Sequence, residues 1–121
     1  MWRLAISVMA LFATAQVGAK PTVSDMSLST AGNVLAICEA DEMGYQLLCG
    51  GYIQGLLDRD TIARLMTPGE EYVCELPRGV TNNQIRAVVV ARIKARPEIW
   101  DVQGASVALN ALKEAFCSRK P

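Results

Sequence analysis

The chain contains no histidine, and its 12 Lys and Arg residues are balanced by 12 Asp and Glu. Without histidine, the side chain most often used as a general base near neutral pH is missing, and so is the usual nitrogen ligand of zinc. Balanced charge argues against the concentrated basic face that nucleic-acid binding needs and against the polybasic patch that holds proteins on anionic lipid. There is no Cys-x-x-Cys pair, which removes the thiol redox motif and weakens metal binding further. Gly50-Gly51 falls within a helical pattern and lacks the lysine and strand of a phosphate loop. Glu70 and Glu71 are adjacent, and neighbouring side chains rarely aim at one point; Asp58-Arg59-Asp60 reads as a charge cluster at a helix end. The sequence therefore points away from an enzyme and implies no catalytic residue, cofactor or metal.

What the chain does have is an export signal and four cysteines. Residues 1–19 read as a secretory signal peptide: Arg3 supplies the positive start and Val17-Gly18-Ala19 the small residues before a cut. Its apolar run, Leu4 to Ala15, is about a dozen residues, too short for a membrane span. Removing Arg3 with it leaves 11 basic against 12 acidic residues. Cys38, Cys49, Cys74 and Cys117 all follow the cut. An even number of cysteines in a short exported chain implies disulfides, here two. The expected location is the periplasm.

The periodicity predicts an all-α domain, a small disulfide-stapled bundle of about four helices. Residues 20–29 read as a flexible N-terminal arm and 30–121 as the helical domain. Thr30 caps a first helix over Ala31 to Ala40. A second, expected to be central, starts near Tyr45 with apolar residues at 45, 48, 49, 52, 53, 56 and 57, one face of a helix. It ends near Asp58-Arg59-Asp60, with one further apolar turn at Ile62, Leu65 and Met66. Gly51 and Gly55 lie four apart and suggest a close approach by the alanines of the last helix, at 105, 108, 111 and 115. Thr81-Asn82-Asn83-Gln84 is a capping box with a Val80–Ile85 staple, and Pro97 stops the helix it opens. The last helix runs from about Gln103 to Cys117.

A mature domain of roughly 100 residues buries about two-thirds of its unfolded surface and needs the support of its disulfides. The residues favour a nested pairing, Cys38 with Cys117 and Cys49 with Cys74. The second bond would pull a 61–73 loop onto the central helix. Cys38–Cys49 with Cys74–Cys117 stays open, because periodicity does not choose. The surface offers two partner-binding candidates. One is the 59–79 region with Arg59, Arg64, Met66, Glu70, Glu71 and Tyr72, of which Arg64, Glu70, Glu71 and Tyr72 are the expected contacts. The other is the 92–100 corner, where Trp100 serves either as a contact hot spot or as a cap on the core.

Taken in order, Cys49-Gly50-Gly51-Tyr52-Ile53-Gln54-Gly55, then Cys74-Glu75-Leu76-Pro77, Gly79-Val80-Thr81, Gln84, Val88-Val89, Pro97, Ala108, Ala111-Leu112 and Phe116-Cys117 form a pattern. It resembles the Rap1a/Tai family of type VI secretion immunity proteins, from Asn33 to Cys117. The resemblance implies a small periplasmic helical protein with disulfides. It implies a protein partner, a peptidoglycan amidase effector that the immunity protein binds and blocks, and often a homodimer. The helix before Pro97 departs from the family pattern, with Arg92-Ile93 and Arg96 where an aromatic and a histidine are usual. An alternative outside the resemblance is a periplasmic acid-stress chaperone or general protein-interaction module.

Overall fold

The computed structural model describes residues 27–117; the signal peptide and most of the N-terminal arm lie outside the described residues. Four α-helices follow one another: α1 (Ala31–Glu39), α2 (Met43–Met66), α3 (Asn82–Ala95) and α4 (Gly104–Cys117), with a 3₁₀ turn at Pro97–Ile99 before α4. Among the described residues there is no strand, only an isolated bridge between Thr30 and Gln103. The all-α expectation holds.

The helix at the centre is α1. The Thr30 hydroxyl accepts from the Asn33 amide at 3.3 Å and opens it. Ala31, Val34, Leu35, Ile37 and Cys38 are buried, and α1 touches each of the other three helices. This corrects the expectation that the 45–58 stretch is central. A nine-residue helix can be surrounded when apolar residues point out of it on several sides, whereas α2 has one apolar face and a solvent side.

In α2 the Asp58–Asp60 cluster does not end the helix. It runs unbroken for 24 residues and stops at Thr67, the residue before Pro68, at φ −141°. Asp60 is tolerated inside it because its carboxylate is occupied by backbone N–H groups from a distant segment, described below. The glycines are a second correction. A methyl group built on Gly50, Gly51 or Gly55 would meet nothing within 4 Å. Of the α4 alanines, Ala108 and Ala111 are buried, whereas Ala115 is exposed.

The start of α3 follows the sequence closely. The Thr81 hydroxyl accepts from the Gln84 amide at 3.1 Å, and the Gln84 side chain accepts from the Thr81 amide at 2.8 Å. Ile85, Val89 and Ile93 face the core. The close approach expected of the α2 glycines occurs at Gly104 instead, where α4 begins. The Gly104 amide donates to the Ser29 carbonyl at 2.8 Å, and a methyl group there would lie 2.8 Å from Val34 Cγ2 and 3.0 Å from the Leu28 carbonyl oxygen. Ile37, Val34, Val89, Ile93 and Leu112 are the large, fully buried core residues from the helices, joined by Val73 from the long connection between α2 and α3.

The cysteines pair as Cys38–Cys49 and Cys74–Cys117. This is the open alternative, not the favoured nested arrangement. The break at Ala40–Glu42 turns α2 back against α1, which brings positions 38 and 49 face to face. Cys117, at the end of α4, then meets the connection that leaves α2.

Candidate partner-binding site

The connection from Thr67 to Thr81 is the longest irregular segment among the described residues, and it is held at four points. It turns at Gly69, whose φ of +97° suits glycine, and the Glu71 carboxylate accepts from the Gly69 amide at 2.8 Å. It then returns along α2. Asp60, only 1 % exposed, accepts from the Tyr72 amide at 2.6 Å and from the Val73 amide at 2.9 Å. One turn on, Arg64 donates to the Val73 carbonyl at 2.9 Å. Val73 drops into the core, and Cys74 is bonded to Cys117. A second glycine at positive φ, Gly79, leads into the α3 cap.

These contacts assign structural work to several of the expected contact residues. Arg64 holds backbone, and Glu71 caps a turn. The Tyr72 hydroxyl donates to Asn110 Oδ1 at 3.2 Å, with the Lys113 ammonium 4.6 Å from its ring centre. Glu70 is exposed, with its side chain outside these contacts. The loop also starts later than 61–73 suggested, since residues 61–66 belong to α2, and it runs on to the α3 cap.

The second expected region lies beside the first. Tyr72, Arg92, Arg96, Ile99, Val102 and Asn110 line a cleft of about 260 Å³ between the loop and the 92–102 corner. Arg92 is paired with Glu114 and Arg96 with Glu98. The Arg96 hydrogen bond holds the Glu98 carboxyl below its ordinary pKa. Trp100 stands outside this cleft. Its indole N–H donates to the Ile93 carbonyl at 2.7 Å, and its own carbonyl accepts from the Gly32 amide at 2.9 Å. Trp100 thus ties α3 to α1, while part of its ring stays exposed.

In sequence Asp60 reads as one charge of a helix-end cluster, and nothing there points to Asn110 and Lys113 beside Tyr72. Apart from Met66, the sequence also did not single out the solvent side of α2 as a surface. Met43 and Leu47 at one end, and Ile62, Leu65 and Met66 at the other, are 60–78 % exposed. The apolar spacing at 62, 65 and 66 was visible, but periodicity alone cannot say whether such a stripe faces core or solvent. At the Met43 end, a groove of about 320 Å³ separates α2 from the start of α3, with Gly50, Ile53, Asn83 and Arg86 along it. No helix among the described residues is long and apolar enough to cross a membrane, and no cluster of His, Cys, Asp or Glu there could hold a metal ion.

A four-helix scaffold with two disulfides and a pinned, exposed loop defines a class: a small, disulfide-stapled all-α protein. The family model for Rap1a immunity proteins matches residues 30–117, and the chain belongs to that family. Membership implies an immunity protein whose partner is a secreted effector protein. Comparison with characterised proteins and with solved structures gave no match.

Proposed function

We propose that this chain is a periplasmic immunity protein that binds a type VI secreted peptidoglycan amidase and blocks it by filling its cleft, with no chemistry of its own. The observation that supports this most is the fixation of the Thr67–Thr81 loop by Asp60, Arg64 and the Cys74–Cys117 bond. A loop ordered in advance loses less conformational entropy on docking. The signal-peptide reading of residues 1–19 supports delivery to the compartment where such an amidase acts. The family resemblance also points to a homodimer, and the exposed Met43 and Leu47 offer a place for a second copy, which a solution mass measurement tests.

The test is direct. The oxidised mature chain is mixed with purified type VI peptidoglycan amidases, starting with any encoded near its gene, and binding and peptidoglycan hydrolysis are followed. Saturable binding with loss of hydrolysis, and protection of cells that express the amidase in the periplasm, are expected. Absence of both rejects the reading. The alternative, an acid-stress chaperone, draws on the exposed apolar side of α2. It would require apolar dye binding and client protection that rise on acidification.

A further inference from the structure

We propose that the last turns of α2, carrying Ile62, Leu65 and Met66, are the surface that seats in the effector, and that the effector presents there an apolar floor with a basic rim. The proposal rests on the immunity reading above and names the contact within it.

The first argument is about which side chains are available. Arg64, Glu71, Tyr72 and Trp100 spend their polar atoms on contacts within the chain. Their work is to fix the loop and the corner. Ile62, Leu65 and Met66 are 60 %, 76 % and 78 % exposed. They stand at i, i+3 and i+4, so they share one side of the helix. Together they expose on the order of 400 Å² of apolar surface, within the range where the largest patch on a monomer is often functional. That is about half of the roughly 800 Å² that each partner contributes to a standard interface. The Thr67–Glu70 turn, which follows directly and is also exposed, extends it.

The second argument selects the occupant. Asp58 precedes this patch on the exposed side of α2 and Glu70, also exposed, follows it; Arg59, beside Asp58, is the only exposed cation from 58 to 71. The C-terminal end of a helix adds partial negative charge. A second copy of the chain on this patch would set like charges against each other, at a cost in affinity. A cationic rim on a different protein would be attracted, and an apolar centre within a polar rim is the usual anatomy of a protein interface. The patch also has a firm backing: Asp60 and Arg64, on the opposite side of the same turns, lock α2 to the returning loop.

The experiment uses the oxidised mature chain and the purified type VI amidases of the test above, with binding kinetics read at several salt concentrations. The double variant Leu65→Ser/Met66→Ser is expected to weaken binding about 100-fold, mostly through faster dissociation, with an unchanged melting temperature. Glu70→Lys is expected to slow association about 5-fold and to flatten its salt dependence. Ala91→Ser, on the exposed side of α3, should stay within about 2-fold of wild type in effector affinity. Binding by Leu65→Ser/Met66→Ser within about 3-fold of wild type overturns the proposal and leaves the immunity reading intact. A change of solution mass in that variant also overturns it, because the patch would then hold a second copy. If wild type itself binds no amidase, the immunity reading fails and this proposal falls with it.

Discussion

Asp60 and Val73, 13 residues apart, are joined by a buried 2.9 Å hydrogen bond from the Val73 amide to the carboxylate. The other carboxylate oxygen takes the Tyr72 amide, so one side chain in the middle of a helix organises the return of the loop. Replacing Asp60 with Ala removes both acceptors and leaves two amides without partners in or near the core. The expected loss of stability is about 2–4 kcal/mol. Asp60→Asn keeps one acceptor and should lose less. Thermal melts give the stability. Hydrogen exchange at Tyr72 and Val73 should rise before exchange in α1, and uniform acceleration across the chain would contradict the local role.

The two disulfides should differ in both strength and reach. Cys74–Cys117 spans 43 residues and Cys38–Cys49 spans 11, which on chain-entropy grounds predicts about 4 and about 3 kcal/mol. Cys74 is exposed, whereas Cys38 and Cys49 are buried. Mild reductant followed by thiol labelling should mark Cys74 and Cys117 first, and the loop should become sensitive to protease while α1 and α2 stay protected. Simultaneous labelling of all four cysteines would count against this order.

Glycine substitutions should have opposite signs at different sites. Gly51→Ala and Gly55→Ala add a methyl group to a helix where nothing stands within 4 Å, so each should stabilise by about 0.5–1 kcal/mol. Gly104→Ala forces a methyl against Val34 and two backbone oxygens and should destabilise by about 1–3 kcal/mol. Denaturant midpoints for the three variants decide the matter. Destabilisation by the α2 substitutions would mean that its solvent side is covered, and the protein's mass in solution would show by what.

Thr81→Ala removes the hydroxyl that accepts from the Gln84 amide at the start of α3. About 1 kcal/mol of stability should go with it. Thr81→Ser should restore most of that loss, since serine caps as well, and equal loss in both variants would assign the effect to the methyl group instead.

Local signals in the sequence were reliable where a few neighbouring residues settle the geometry. The Thr81–Gln84 box, the Thr30 cap and the stop before Pro97 all appear in place because capping and proline sterics act over three or four residues. Relations across the chain were not legible. The pairing of Cys38 with Cys49 depends on how sharply the chain turns at Ala40–Glu42, which periodicity does not report. Asp60 looked like a helix end because nothing near it in sequence could satisfy a buried carboxylate; its partners arrive from residues 72 and 73. Gly51 and Gly55 suggested close packing, yet the apolar face beside them is the one that docks, and the glycines look outward. Of the surface residues, Tyr72 and the 92–99 corner do share a cleft, while Trp100 braces α1 against α3.

The anchoring of Ser29 and Thr30 beside Gly104 has a practical side. The described chain enters at the start of α4 and leaves at Cys117, about 20 Å further along the same helix and next to Cys74. A label or surface tether attached ahead of Ser27 would therefore sit at the opposite end of α4 from the stapled loop. One attached after Cys117 would be joined next to Cys74, beside the loop proposed to meet the effector. Immobilisation through the N-terminal end is the orientation in which a sensor chip should register binding at full strength.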